Sequence, residues 1–215
     1  DFPELISGTI GTFNMDTLYR LTATAYAADI VITDSDTTFK ASANIPVNNL
    51  VFKDEVGNVS NTYDSVIVQS GDRLDADLPL ITGVTIQDDT LIVGDTCDVT
   101  INVENDGGDI PSLTSGSIGG YPLINLSRTN ATTYAAEFII TEGGNNYATG
   151  SSIPITENIV LTDNSGNASS PYNTSVTQAT GLIDANTPGI NTVSIPNNAM
   201  KIGDVVPVTI SVADD

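Results

Sequence analysis

Cys97-Asp-Val-Thr-Ile-Asn-Val103 alternates apolar and polar residues, and 109 positions later the same pattern returns as Val206-Pro-Val-Thr-Ile-Ser-Val212. Successive side chains of a strand point to opposite faces, so this alternation predicts a half-buried β-strand in both places. The match extends outward in both directions. Leu74-Asp-Ala-Asp-Leu-Pro79 and Val93-Gly-Asp95 return as Ile183-Asp-Ala-Asn-Thr-Pro188 and Ile202-Gly-Asp204. Ser115-Gly-Ser-Ile-Gly119, Arg128 and Tyr134-Ala-Ala-Glu137 have earlier counterparts in Ser7-Gly-Thr-Ile-Gly11, Arg20 and Tyr26-Ala-Ala-Asp29. The chain is therefore built from a repeating unit of about 109 residues, an ordinary domain size.

One complete copy runs over 79–187. Its period-two segments predict strand A near Ile81–Ile86, B near Thr96–Val103, C near Leu113–Ile118, D near Leu123–Ser127, E near Thr132–Ile140, F near Ile155–Leu161 and G near Tyr172–Thr177. Asp163-Asn-Ser-Gly-Asn167 supplies turn chemistry between F and G, as Asp54-Glu-Val-Gly-Asn58 does in the first copy. No stretch keeps a helical apolar stripe for three turns. Seven short strands at this spacing predict an all-β chain of tandem immunoglobulin-like β-sandwiches.

The repeat is out of phase with the chain. On this assignment 1–78 hold strands C to G of one sandwich, and 188–215 hold only strands A and B of the next. Loss of A and B would uncover the partners of Val84, Ile86, Cys97, Val99, Ile101 and Val103. At roughly 1.5–3 kcal/mol per large apolar side chain, that amounts to about 10 kcal/mol, comparable to the stability of a whole domain. Two arrangements would supply the missing strands. Copies of the chain could join head to tail by strand complementation, or the residues could belong to a longer polypeptide whose neighbouring repeats complete the halves covalently.

Composition narrows the function classes. Against 27 acidic residues stand 6 basic ones, a formal charge of −21, which repels nucleic acid and anionic membranes and favours cations as partners. No apolar run is long enough to span a bilayer, so membrane insertion is not expected. The single Cys97 cannot form an intrachain disulfide, and Val206 at its repeat position marks the site as one for a small apolar side chain. With no His for a Ser–His pair or zinc site, and no glycine-rich phosphate loop, the chain is not expected to be an enzyme.

The acids concentrate where sandwiches in a tandem array would meet. The first junction gathers Asp34 and Asp36 from the E–F loop, Asp75 and Asp77 from the linker, Glu104, Asp106 and Asp109 from the B–C loop, and Asp163 from the F–G loop. The second gathers Glu142, Asp184, Asn186, Asp214 and Asp215. So many carboxylates close together repel unless neutralised, and Ca²⁺, with six to eight oxygen ligands in irregular geometry, fits such loops. The alternative is a solvated, salt-tolerant acidic surface. Recurrence of Asp75 as Asp184 and of Asp106 as Asp215 favours calcium.

Val-Gly-Asp before strand B, Thr-Tyr-Ala-Ala-Glu on strand E, Asp-Asn-Ser-Gly-Asn between F and G, and Ile-Asp-Ala-Asn-Thr-Pro between copies resemble the tandem Ig-like or cadherin-like repeats of giant prokaryotic surface adhesins. The full cadherin linker motif is absent. The resemblance implies an extracellular, cell-surface location and a calcium-stiffened spacer in an adhesin stalk or surface filament, with any glycan or cell-surface ligand bound elsewhere in the full protein. The competing expectation is a carbohydrate- or cell-surface-binding sandwich. It requires exposed aromatics, for which Tyr19, Tyr121 and Tyr147 are the candidates.

Overall fold

A computed structural model describes residues 3–34, 36–71, 73–109 and 111–213. Among them every regular element is a strand, and the sheets are almost entirely antiparallel. The chain divides into two compact units, Asp1–Leu78 and Pro79–Asp215.

The first unit is one five-stranded sheet built from β1 (Glu4–Ile10), β2 (Phe13–Arg20), β3 (Tyr26–Ile30), β4 (Asn44–Lys53) and β5 (Tyr63–Val68). Its order is β3-β2-β1-β4-β5, with every neighbouring pair antiparallel. Gly11 turns the chain from β1 to β2 at φ 62°, and a Cβ there would overlap the Phe39 ring. The sheet covers little of its own apolar surface. Phe13, Ile45, Val47 and Ala76 are buried, whereas Ile32, Ile67 and Val68 are exposed.

The second unit contains β6 (Ile81–Ile86), β7 (Thr90–Leu91), β8 (Thr96–Val103), β9 (Ser112–Ile118), β10 (Tyr121–Pro122), β11 (Ile124–Asn130), β12 (Thr133–Ile139), β13 (Ser152–Ile153), β14 (Ile155–Thr162), β15 (Val176–Thr177) and β16 (Leu182–Ile183). One sheet has the order β11-β12-β8-β6 and another β10-β9-β14. Their inward residues form a single core. It includes Val99 and Ile101 of β8, Tyr134 and Phe138 of β12, Ile118 of β9, and Ile159 and Leu161 of β14. This arrangement is consistent with a β-sandwich. Gly119, the counterpart of Gly11, has φ 64°, and a Cβ there would lie 2.7 Å from the Tyr147 ring.

The strands expected at A, B, C, E and F lie within a residue or two of their predicted bounds, and the one expected at Leu123–Ser127 runs later, over Ile124–Asn130. The strand expected at Tyr172–Thr177 is broken. Tyr172 makes one isolated bridge to Ile159, β15 pairs with β13, and β16 runs parallel to β7. A side chain bridges the gap in the ladder: Gln178, 2% exposed, donates from Nε2 to the carbonyls of Gln87 at 2.8 Å and Asp89 at 3.0 Å.

After β16 comes a hairpin of β17 (Ile190–Ser194) and β18 (Thr209–Val212). Every residue in both strands is exposed. Its pairing repeats that of β6 with β8 residue for residue at the 109-position shift. Ile190 faces Val212 as Ile81 faces Val103, and Val193 faces Ile210 as Val84 faces Ile101. The register slip between the first two pairs also recurs.

Candidate functional site

The acids expected to hold a cation are distributed through turns, and most have a local backbone partner. Asp163 organises the turn that follows β14. One oxygen accepts the backbone N–H groups of Ser165 at 2.9 Å and Asn167 at 2.8 Å, and the other accepts the Asn167 amide at 3.1 Å. Asp54 does the same for Val56 and Asn58, and those donors hold its carboxyl below the usual carboxylate range. An Asp two residues before such donors is an Asx-type turn, so the recurrence of Asp54 as Asp163 has a local folding cause.

The Val-Gly-Asp motif resolves in the same way. Asp95 accepts from the N–H of Ile92 at 2.9 Å, and Asp204 from that of Lys201 at 2.8 Å, with Gly94 and Gly203 both at φ 93°. These turns admit only residues tolerant of positive φ at the glycine position.

Asp106 is the most strongly held acid. Its side chain is 2% exposed and forms a bidentate pair with Arg128, Nε at 2.7 Å and a terminal nitrogen at 3.1 Å, while the Tyr134 hydroxyl donates to it at 2.5 Å. The Arg128 guanidinium holds its carboxyl down to about 2, and burial together with the bond to Asp106 pushes the Tyr134 phenol up to about 12. A carboxylate already neutralised by arginine is poorly placed to ligate a cation, since the guanidinium would repel the ion.

Within the second unit Asp109 and Asp163 approach each other, with carboxylate oxygens within 4.8 Å. Asp109 also accepts the N–H of Asn164 at 3.0 Å, fixing its loop against the turn that Asp163 organises. Glu142 accepts from the N–H of Thr187 at 3.1 Å and from its hydroxyl at 2.9 Å. Asp184 accepts the N–H of Asn186 at 3.1 Å, and Glu104 is exposed. In the first unit Asp36 accepts from the backbone and hydroxyl of Thr33. Asp75 pairs with Arg73 and accepts from the Thr38 hydroxyl at 3.3 Å, and Asp34 and Asp77 are exposed. Asp214 and Asp215 lie outside the described residues.

The aromatic candidates divide differently from expectation. Tyr121 is 2% exposed and stacks on Phe138 at 5.5 Å, and Tyr147 packs against the core beside Gly119. Both are excluded from an exposed patch because core positions on the adjoining strands claim their rings. Tyr19 is exposed, as is Tyr63, which lies outside the expected set. Alternation of apolar and polar residues does not point to the part played by Gln178. Its signal was the recurrence of Gln69 at the same repeat position.

Equivalent repeat positions differ in burial between residues 79–187 and the rest of the chain. Ile140 is 1% exposed and its counterpart Ile32 43%; Ile101 is 0% exposed and its counterpart Ile210 57%. Val176 is buried and Ile67 exposed, and Gln178 is buried and Gln69 exposed. At these repeat positions the first unit and the hairpin are exposed where residues 79–187 are buried. Comparison with protein-family models, curated proteins and solved structures returned no match.

Proposed function

We infer that this chain is a non-enzymatic structural repeat of an extracellular adhesin stalk or surface filament, in which immunoglobulin-like sandwiches succeed one another in a linear array. The observation that carries this reading is the residue-for-residue recurrence, in the hairpin, of the β6–β8 pairing, slip included. A unit made to be followed by another like itself needs such a restart. The sheet order β11-β12-β8-β6 corresponds to D-E-B-A of an immunoglobulin constant-type sandwich, and β9-β14 to C-F, with the broken last strand as G. Strong net acidity suits a solvent-facing rod that must resist nonspecific association.

Calcium is the stiffening ion of this reading. Asp109 and Asp163 supply an all-oxygen pair suited to a hard cation, and neutralisation would relieve their mutual repulsion. Asp106 is left out of the ligand set, because Arg128 occupies it. The test is thermal melting in calcium, in chelator, and in sodium chloride of matched ionic strength. A site-bound ion at 100 times its dissociation constant adds about 2.7 kcal/mol, so calcium should raise the melting temperature where sodium chloride does not. Asp109→Asn with Asp163→Asn should abolish the difference. Equal melting in calcium and in matched salt would instead identify the acids as a screened surface.

A further inference from the structure

We propose that Asn130 is an acceptor for N-linked glycosylation, its side-chain amide taking an oligosaccharide from a polyprenyl-diphosphate-linked donor. The inference rests on the extracellular part of the proposed function, because this modification belongs to exported chains.

Asn-x-Ser/Thr, with x not proline, occurs at Asn58, Asn125, Asn130, Asn167 and Asn173. So short a triplet also arises from composition alone, and the fold separates acceptors from coincidences. Asn58 donates from Nδ2 to Asp54 at 2.8 Å, Asn167 donates from Nδ2 to Asp163 at 3.1 Å, and Asn125 donates from Nδ2 to Glu137. Each bond engages the nitrogen that would carry the sugar. The hydroxyls of two of these triplets are engaged as well. Ser60 accepts the Phe52 N–H at 3.0 Å, and Ser169, 5% exposed, accepts that of Leu161 at 3.0 Å. Asn173 is exposed in irregular chain ahead of β15, and among the described residues no hydrogen bond joins its amide to Ser175.

Asn130 differs from all of these. It is exposed at the end of β11, where Asn130-Ala131-Thr132 turns the chain into β12. Its Oδ1 accepts both the N–H of Thr132 at 2.9 Å and the Thr132 hydroxyl at 3.0 Å. A backbone N–H donates to the oxygen of an amide and not to its NH₂ group, so this bond fixes which side of the amide carries the nitrogen. Among the described residues no acceptor takes a bond from that Nδ2. The turn itself is anchored, since the carbonyls of Ala131 and Thr132 accept the N–H groups of Asp106 at 2.9 Å and Val103 at 3.0 Å. The triplet is held in one geometry, with the reactive nitrogen left out of it.

The matching turn of the first unit shows that folding does not require asparagine there. Thr22 is the counterpart of Asn130, and its hydroxyl accepts the N–H of Thr24 at 3.2 Å, the same link across two residues. What asparagine adds to this link is an amide nitrogen. Such a nitrogen is a weak nucleophile, because its lone pair is shared with the carbonyl. Two donors on Oδ1 draw electron density toward oxygen and make the Nδ2 protons more acidic. One proton passes to a base of the transferase as Nδ2 bonds to the anomeric carbon of the donor. The bond from that carbon to the diphosphate oxygen breaks, and polyprenyl diphosphate leaves.

The test uses the full folded chain, a purified single-subunit oligosaccharyltransferase that accepts Asn-x-Ser/Thr, and a polyprenyl-diphosphate-linked oligosaccharide. Peptide mass spectrometry reads the occupancy of each site over time. The initial rate at Asn130 should exceed that at each of the other asparagines by about tenfold, as expected for an amide held in reactive orientation. Thr132→Val, which keeps the backbone bond and removes the hydroxyl, should lower the Asn130 rate by about tenfold. Asn130→Thr, which copies the first unit's turn, should melt at the parent's temperature. No transfer at Asn130, or a rate there matched at any other asparagine, overturns the proposal.

Antibody labelling of intact cells that make the protein reads its location separately. Labelling without transfer at Asn130 removes only the acceptor site. Transfer at Asn130 without labelling overturns the extracellular reading and, with it, the modification.

Discussion

Asp106, Arg128 and Tyr134 show how one acid changes meaning once its neighbours are known. In sequence Asp106 is one of many carboxylates in a loop, and its recurrence as Asp215 does not say what it pairs with. In the fold, β11 and β12 bring Arg128 and Tyr134 onto it, and it becomes the buried partner of a bidentate ion pair. The pair makes stability depend on pH at both extremes. The Asp106 carboxyl lies below its ordinary 3.8, so its contribution is present above that pH and is lost as pH falls through about 2. The Tyr134 phenol lies above its ordinary 10.0, so its contribution is full below that pH and is lost as pH rises through about 12. Asp106→Asn should cost about 1–3 kcal/mol near neutrality. In denaturant titrations across pH, the gap between this variant and the parent chain should narrow as pH drops below about 4.

At the scale of elements, alternation exposed the strands and identity of turn residues exposed the repeat, because both are local properties that the chain carries with it. β8 was legible from Cys97 to Val103, as was the hairpin's resemblance to β6 and β8. The last strand of the second unit was less so, because the Gln178 side chain takes over hydrogen bonds that the alternation rule assigns to backbone. Turn acids such as Asp163 and Asp95 were legible as recurring, but residue type alone does not distinguish an acid that accepts backbone N–H groups from one that ligates an ion. The hairpin supplies the prediction at this scale. Ile210→Asp puts a carboxylate on the face that, in the proposed array, meets the neighbouring sheet, where burial without a partner costs several kcal/mol. It should abolish concentration-dependent assembly in sedimentation velocity, while the melting transition of the second unit stays in place, since the Ile101 position in that unit's own core is untouched.

For the whole molecule, the proposed array has two strands equivalent to β6 and β8 covering the sheet of the first unit, and the segment after residue 187 carries two strands of that kind. The first unit takes those strands equally from a second copy or from a neighbouring repeat of a longer chain. Its core positions, Ile32 and Ile67 among them, stand uncovered where Ile140 and Val176 are enclosed. A permuted chain tests the array most directly: the hairpin segment 188–215 is moved ahead of Asp1 through a two-glycine link, the length that Gly107-Gly108 occupies in the intact repeat. Hydrogen exchange at Tyr26 and Ala28, measured in dilute solution, should then slow to the level of Tyr134 and Ala136, in a protein that sediments as a monomer. Exchange at those two amides as fast as in the unpermuted chain would contradict the account.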